Sequence, residues 1–129
     1  MKKFRNPNNV HKPLAAYCHQ IELSSSERLL ILSGQIGMHE DGSVPSDSIE
    51  QMQVALQNIN RNLDAANMVV NDIVKLTIYL VGQMDADERR NILANYFQDH
   101  NPCMTLLFVA ALGAPNLKVE IDVMASKEG

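Results

Sequence analysis

Two apolar-rich runs, Tyr17 to Leu23 and Leu29 to Ile36, flank the polar stretch Ser24-Ser25-Ser26-Glu27. That spacing predicts two strands paired antiparallel through a short turn. Gly37 to Pro45, with Asp41-Gly42 inside it, reads as a turn-rich loop leading to a helix start. From there Ile49, Met52, Leu56, Ile59, Leu63 and Ala66 recur at alternating steps of three and four, which predicts a helix over about 47–66 with one apolar face. Asp47 with Glu50 fits a capping box at its start, and Asn67, tolerant of left-handed backbone, fits its stop.

Next, Val74, Leu76, Ile78 and Leu80 alternate with Lys75, Thr77 and Tyr79, the pattern of a half-buried strand. Asp85 and Glu88 open a second helix, with Ile92, Leu93, Tyr96 and Phe97 as its apolar stripe and Asn101-Pro102 as its end; this helix is expected to pack beside the first. Met104 to Leu112 is almost continuously apolar, as in a strand covered on both faces, and Lys118 to Ala125 alternates again. The order β-β-α-β-α-β-β predicts an α/β (α+β) two-layer sandwich, two helices on one mixed sheet. Such a sheet needs cover on its second face, and the run 104–112 suggests another subunit, hence a homo-oligomer.

Composition narrows the classes. With 46% hydrophobic and 20% charged residues in a chain of 129, the expectation is one folded domain over 1–129 rather than a disordered chain. The net charge of -4 repels phosphate backbones, and the only basic cluster, Lys2, Lys3 and Arg5, reads as a solvated tail, so nucleic acid is not an expected partner. No run of about 18 apolar residues and no apolar segment behind the N-terminal lysines is present, so neither a membrane nor an export route is expected, and a cytoplasmic location is. Cys18 and Cys103 show no metal-ligand spacing and no disulfide framework, and free thiols are the plain reading. His11, His39 and His100 form no ligand pattern.

Five stretches carry a more specific signal. Tyr17 lies in Ala-Ala-Tyr-Cys-His, and Ser33-Gly34-Gln35-Ile36-Gly37 ends the second apolar run. Gln51 through Leu80, with Asn58, Leu63, Ala65-Ala66, Asp72, Val74-Lys75 and Tyr79-Leu80, makes the long helix and the following strand. Pro102 to Ala111 and Val119-Glu120-Ile121 close the chain. In this order and spacing the chain, from about 11 to 125, resembles the Rid family (reactive intermediate deaminase, YjgF-like, also called the endoribonuclease L-PSP family). The resemblance implies a chorismate-mutase-like fold, a homotrimer with clefts between neighbouring subunits, and hydrolysis of reactive enamines and imines to keto acids without metal or organic cofactor. It further implies that Glu120 positions the attacking water and that Tyr17 and Gly34 line the cleft. Where the family has the arginine that holds the substrate carboxylate, this chain has Met104.

A thioether offers an anion almost nothing, whereas each charge-assisted bond from an arginine contributes about 1.5–3 kcal/mol. The departure therefore predicts at least a tenfold weaker hold on amino-acid-derived imines, since about 1.4 kcal/mol is tenfold. Arg90, where many relatives carry Asn, is a candidate for a relocated charge, the plain alternative being a solvated helix face shared with Arg89. Glu120 is a candidate general base or water holder, or else one of several solvated charges beside Lys118 and Asp122. Tyr17 lines the cleft or is a core ring. Cys103, next to the arginine position, is a cleft-side residue, by default a packed thiol and open to oxidation where the cleft exposes it. Cys18 and His19, adjacent on a strand, point to opposite faces and make no dyad.

Three functions compete: a Rid-like hydrolase of altered specificity, a non-catalytic metabolite-binding or protein-interaction trimer, and a ribonuclease or translation inhibitor. The acidic balance counts against the third.

Overall fold

The longest element grows from the strongest pattern. In the computed structural model, which describes residues 1–129, α1 runs over Ser48–Ala65. The Asp47 side chain caps it by accepting from the Glu50 amide, and Asn67, at φ 55°, turns the chain out of it. Met52, Leu56, Ile59 and Leu63 of the predicted stripe are buried, each contributing about 1.5–3 kcal/mol of apolar burial. α2, Ala86–Phe97, is capped by Asp85 and packs beside α1, where the Tyr96 hydroxyl donates to Asn60 Oδ1 at 2.7 Å. It ends ahead of Asn101-Pro102, because Gln98 takes a left-handed φ of 52°. Of its stripe only Phe97 is fully buried.

The sheet under the helices has five strands: β3 (Glu27–Ile31), β4 (Gln35–Ile36), β5 (Ile73–Leu80), β6 (Cys103–Phe108) and β7 (Val119–Glu128). Their order is β3-β7-β5-β6, with β4 also on β7; β5 and β6 run parallel and the other pairs antiparallel. The expected two-layer α+β sandwich on a mixed sheet is what forms. A 3-10 turn, Val70–Asp72, leads into β5. Leu76, Ile78 and Leu80 pair with Val123, Ile121 and Val119, and all six are buried on the helix side. Lys75, Thr77, Tyr79, Glu120, Asp122 and Met124 alternate with them on the other, outer face.

Two expectations fail. The hairpin of the first two strands does not form: β2 is only Gln20–Glu22 and pairs with an N-terminal strand β1, Lys3–Arg5, while β3 pairs with β7. Ser25 and Ser26 do form a turn, but β7 offers β3 a long partner in the centre of the sheet, and Arg5 holds Glu22 (2.7 Å) and Gln20 (2.9 Å). Second, the strand expected over 104–112 is shorter than the apolar run. The run forms the edge strand β6 only as far as Phe108, with Leu107 and Phe108 exposed.

The β1–β2 ribbon closes one end of the sheet. The N-terminal amine meets Ser24 and Glu128, Lys2 Nζ lies 3.6 Å from Glu27, and the Phe4 ring stands edge-on to His100 at 6.1 Å. No helix is long and apolar enough to cross a membrane.

Candidate active site

The candidate site is set up from α1 by amide side chains that flank its apolar stripe. Gln51, fully buried, donates through Nε2 to the carbonyls of Pro45 (2.8 Å) and Asn116 (3.0 Å), and its Oε1 accepts from the Lys118 amide at 2.8 Å. One side chain thus ties the loop before α1 to the residues that lead into β7 and Glu120. Asn58 donates to the carbonyls of Ile36 (3.1 Å) and Met38 (2.9 Å), and Asn62 donates to Gln35 Oε1 at 3.1 Å. Together they fix the turn Ser33–Gly37 against the sheet.

That turn lays Gly34 on Glu120. A β-carbon on Gly34 would stand 2.6 Å from Glu120 Cδ, so the absence of a side chain there lets the carboxylate lie where it does, and a larger residue would push it aside. Glu120 is half-buried on the outer face, and the four salt bridges of the chain all lie elsewhere. Beside it, Tyr79, its partner on β5, donates its hydroxyl to Asp122 Oδ2 at 3.0 Å. That hydrogen bond, with desolvation and the Asp122 charge, raises the Tyr79 pKa above its ordinary value. Asp122 is therefore engaged, and Glu120 is the carboxylate left free for another partner.

Of the other predicted residues, Tyr17, Cys103 and Met104 lie at the start of β6 and Arg90 does not. Tyr17 lies outside any strand, its hydroxyl accepting from the Leu14 amide at 3.2 Å, with its ring edge-on to His19 at 5.7 Å. Cys18, next in sequence, is buried with its Sγ 3.8 Å from Cys103 Sγ. His19 turns away and meets the His11 carbonyl through Nε2 at 2.7 Å, so no Cys-His dyad exists. Met104 pairs with Leu76 and packs against the core on the helix side, whereas Cys103 pairs with Lys75 on the outer face. Arg90 is largely exposed and paired within its own helix to Asp87 at 3.3 Å. It is Arg89 that reaches the sheet, its guanidinium 5.9 Å from the Phe108 ring centroid.

Within one chain, then, two groups of candidates stand apart. Gly34 and Glu120 lie level with Tyr79 and, across it, Leu107 of β6. Tyr17, Cys103 and Met104 lie at the start of β6, about 13 Å back along the strand at some 3.3 Å per residue. Sequence reasoning missed Gln51, Asn58 and Asn62 as positioning residues. The visible signal was amides beside the apolar stripe of a helix, where a solvated face alone would not require them.

Comparison with known proteins agrees with this architecture. The family model described as Endoribonuclease L-PSP matches residues 8–127. A RutC family protein of Pyrococcus horikoshii is 29% identical over 130 residues, covering 99% of this chain and all of that one. The 2-iminobutanoate/2-iminopropanoate deaminase of Escherichia coli is 29% identical over 129 residues, covering 97% and 98%. Among solved structures, a Rid-family protein from Yersinia pestis superposes with a TM-score of 0.84 at 26% identity, covering 98% of both chains. A match spanning 120 positions of 129, in the same order of elements and with the same fold, leaves no room for a chance motif: the chain belongs to the endoribonuclease L-PSP family, among the Rid and RutC proteins.

Proposed function

We propose that the protein is a Rid-type enamine or imine hydrolase of altered specificity, acting as a homotrimer whose clefts between subunits take a small metabolite, with Glu120 positioning the attacking water. The observation that carries the reading is the seat of Glu120: an unpaired carboxylate under the Gly34 backbone, on a sheet face its own chain leaves open. A carboxylate so placed accepts a proton as water adds to the C=N carbon. The proton is then passed to the nitrogen, ammonia leaves, and the carbonyl forms. The name of the Escherichia coli relative supports the reaction class.

Altered specificity follows from Met104. Its thioether is half-buried toward the core and cannot make the paired contacts a carboxylate needs, so substrates without that group, or with it held otherwise, are favoured. The trimer is supported by the open outer face, with Leu29, Ile31 and Leu107 exposed, and by the distance between the two groups of candidates, which neighbouring copies would bridge. Met104 alone favours a second reading, a trimer that binds a metabolite without turnover.

The test is imine hydrolysis. Imino acids are generated in place by an amino-acid oxidase, and the rate of imine loss is compared for wild type, Glu120→Ala and Met104→Arg. Activity in wild type or Met104→Arg that disappears with Glu120→Ala supports the hydrolase. If every form is inert yet a metabolite raises the melting temperature, the binding reading replaces it.

A further inference from the structure

Cys18 and Cys103 are 85 positions apart in sequence, yet their sulfurs touch at 3.8 Å. The backbones are held together at the same place, since the Cys18 amide donates to the Pro102 carbonyl at 3.3 Å. Cys18 belongs to the segment entering β2, and Cys103 is the first residue of β6. The contact is therefore a junction between the N-terminal ribbon and the sheet.

The rest of the ribbon meets the sheet through its N-terminal amine, Lys2 and Phe4. Both carboxylate oxygens of Glu27 are buried without a hydrogen bond, with only Lys2 Nζ of the ribbon nearby, at 3.6 Å. A buried acceptor without a donor disfavours the seated state, so the ribbon gains little from this contact. A covalent clamp at the other end of the ribbon would change its docking substantially.

We infer that Cys18 and Cys103 form a reversible intrachain disulfide, a two-electron redox site that locks the N-terminal ribbon, and Tyr17 with it, onto the start of β6. Closing the bond needs the sulfurs to approach by about 1.8 Å, a side-chain movement between backbones already in contact. The two thiols divide the work by exposure. Cys103 is half-exposed and meets the oxidant, whereas Cys18 is buried, its thiol pushed up to about 11 by burial and by Cys103 beside it.

With a peroxide, the Cys103 thiolate attacks the O–O bond, forming a sulfenic acid and releasing water or an alcohol. Cys18 sulfur then attacks the Cys103 sulfur; the S–S bond forms, the S–O bond breaks, and hydroxide leaves as water with the Cys18 proton. With a low-molecular-weight disulfide, Cys103 takes one thiol as a mixed disulfide and Cys18 expels it. In either case two thiols are oxidised and one oxidant is reduced. A dithiol reverses the bond.

The test uses the full chain, reduced and then exposed separately to hydrogen peroxide and to oxidised glutathione, with remaining thiols alkylated after unfolding. The expected product has lost two hydrogens, takes up no alkyl group, yields one joined peptide holding Cys18 and Cys103, and reverts with dithiothreitol. Its melting temperature rises by roughly 10 °C, because the link closes a long loop in the unfolded chain. Cys18→Ala should instead retain a glutathione adduct on Cys103, and Cys103→Ala should leave Cys18 a free thiol. A stable wild-type adduct on Cys103 without the internal link, chains joined to one another on a non-reducing gel, or two thiols surviving both oxidants each overturns the inference. The wild-type mass decides the matter even where a variant does not fold. None of these readouts depends on imine hydrolysis.

Discussion

The two faces of the one sheet are built from the same strands and reach opposite ends. On the helix side, Leu76, Ile78 and Ile121 are completely buried under α1 and α2. On the outer side, one residue along each strand, lie Thr77, Tyr79, Glu120 and Asp122, with Leu29, Ile31 and Leu107 exposed around them. The chain finishes one face by itself and leaves the other open. What differs is the cover, and cover decides use: the closed face supplies stability, and the open face keeps a carboxylate unpaired and apolar side chains free for another surface.

The sharpest way to break this comparison is to shorten one isoleucine on each face. Ile78→Ala should destabilise the fold by about 4 kcal/mol in urea unfolding, the sum of lost transfer and a residual cavity. Ile31→Ala, at a side chain 68% exposed, should change the unfolding of the single chain by no more than about 0.5 kcal/mol. Where the open face joins copies in the trimer proposed above, its effect should appear as a shift toward smaller species on dilution in sedimentation velocity. Equal losses from both changes would mean that the faces do not differ as described.

Two changes around Glu120 sharpen the comparison at smaller amplitude. Gln51→Leu keeps the volume but strands two carbonyls and one amide in the interior, and should cost about 3 kcal/mol. Gly34→Ala pushes the Glu120 carboxylate aside and should cost no more than about 1 kcal/mol, since a flexible, half-buried side chain can give way. If the open face is the active one, Gly34→Ala should lower imine hydrolysis more than Gln51→Leu does once both are assayed well below their melting temperatures. The reverse order would place the chemistry elsewhere.

Much of this was legible because period and burial are local properties. The stripe from Met52 to Leu63 and the alternation from Val74 to Leu80 each specify an element and its buried side without knowledge of the partner. Pairing is not local. The stretches around Ile21 and Leu29 looked like a hairpin, but which strand β3 joins is decided by β7, a hundred residues on, and by a three-residue N-terminal strand too short to show a period. The site divides in the same way. Glu120 and Gly34 were found from the resemblance, and their contact follows the fold. Met104 was found as a departure, but its turn toward the core depends on the register of β6 on β5, which no spacing in the sequence reports. The meeting of Cys18 with Cys103 was invisible for the same reason.

The smallest expected effect tests whether the open face holds any order of its own. Tyr79→Phe removes the hydroxyl that engages Asp122 and leaves the ring. The Tyr79 pKa is raised in the folded chain, by the Asp122 hydrogen bond first, so the native state favours the protonated phenol. Its stabilising contribution is therefore present in full below the ordinary value of 10.0 and is lost as pH climbs through the folded value. The stability gap between wild type and Tyr79→Phe should stay level from about pH 7 to 9 and narrow above about pH 10. A gap that is flat throughout would mean that the phenol and Asp122 do not act as a pair. Asp122 would then be as free as Glu120, and the assignment of the water-holding role to Glu120 alone would lose its structural basis.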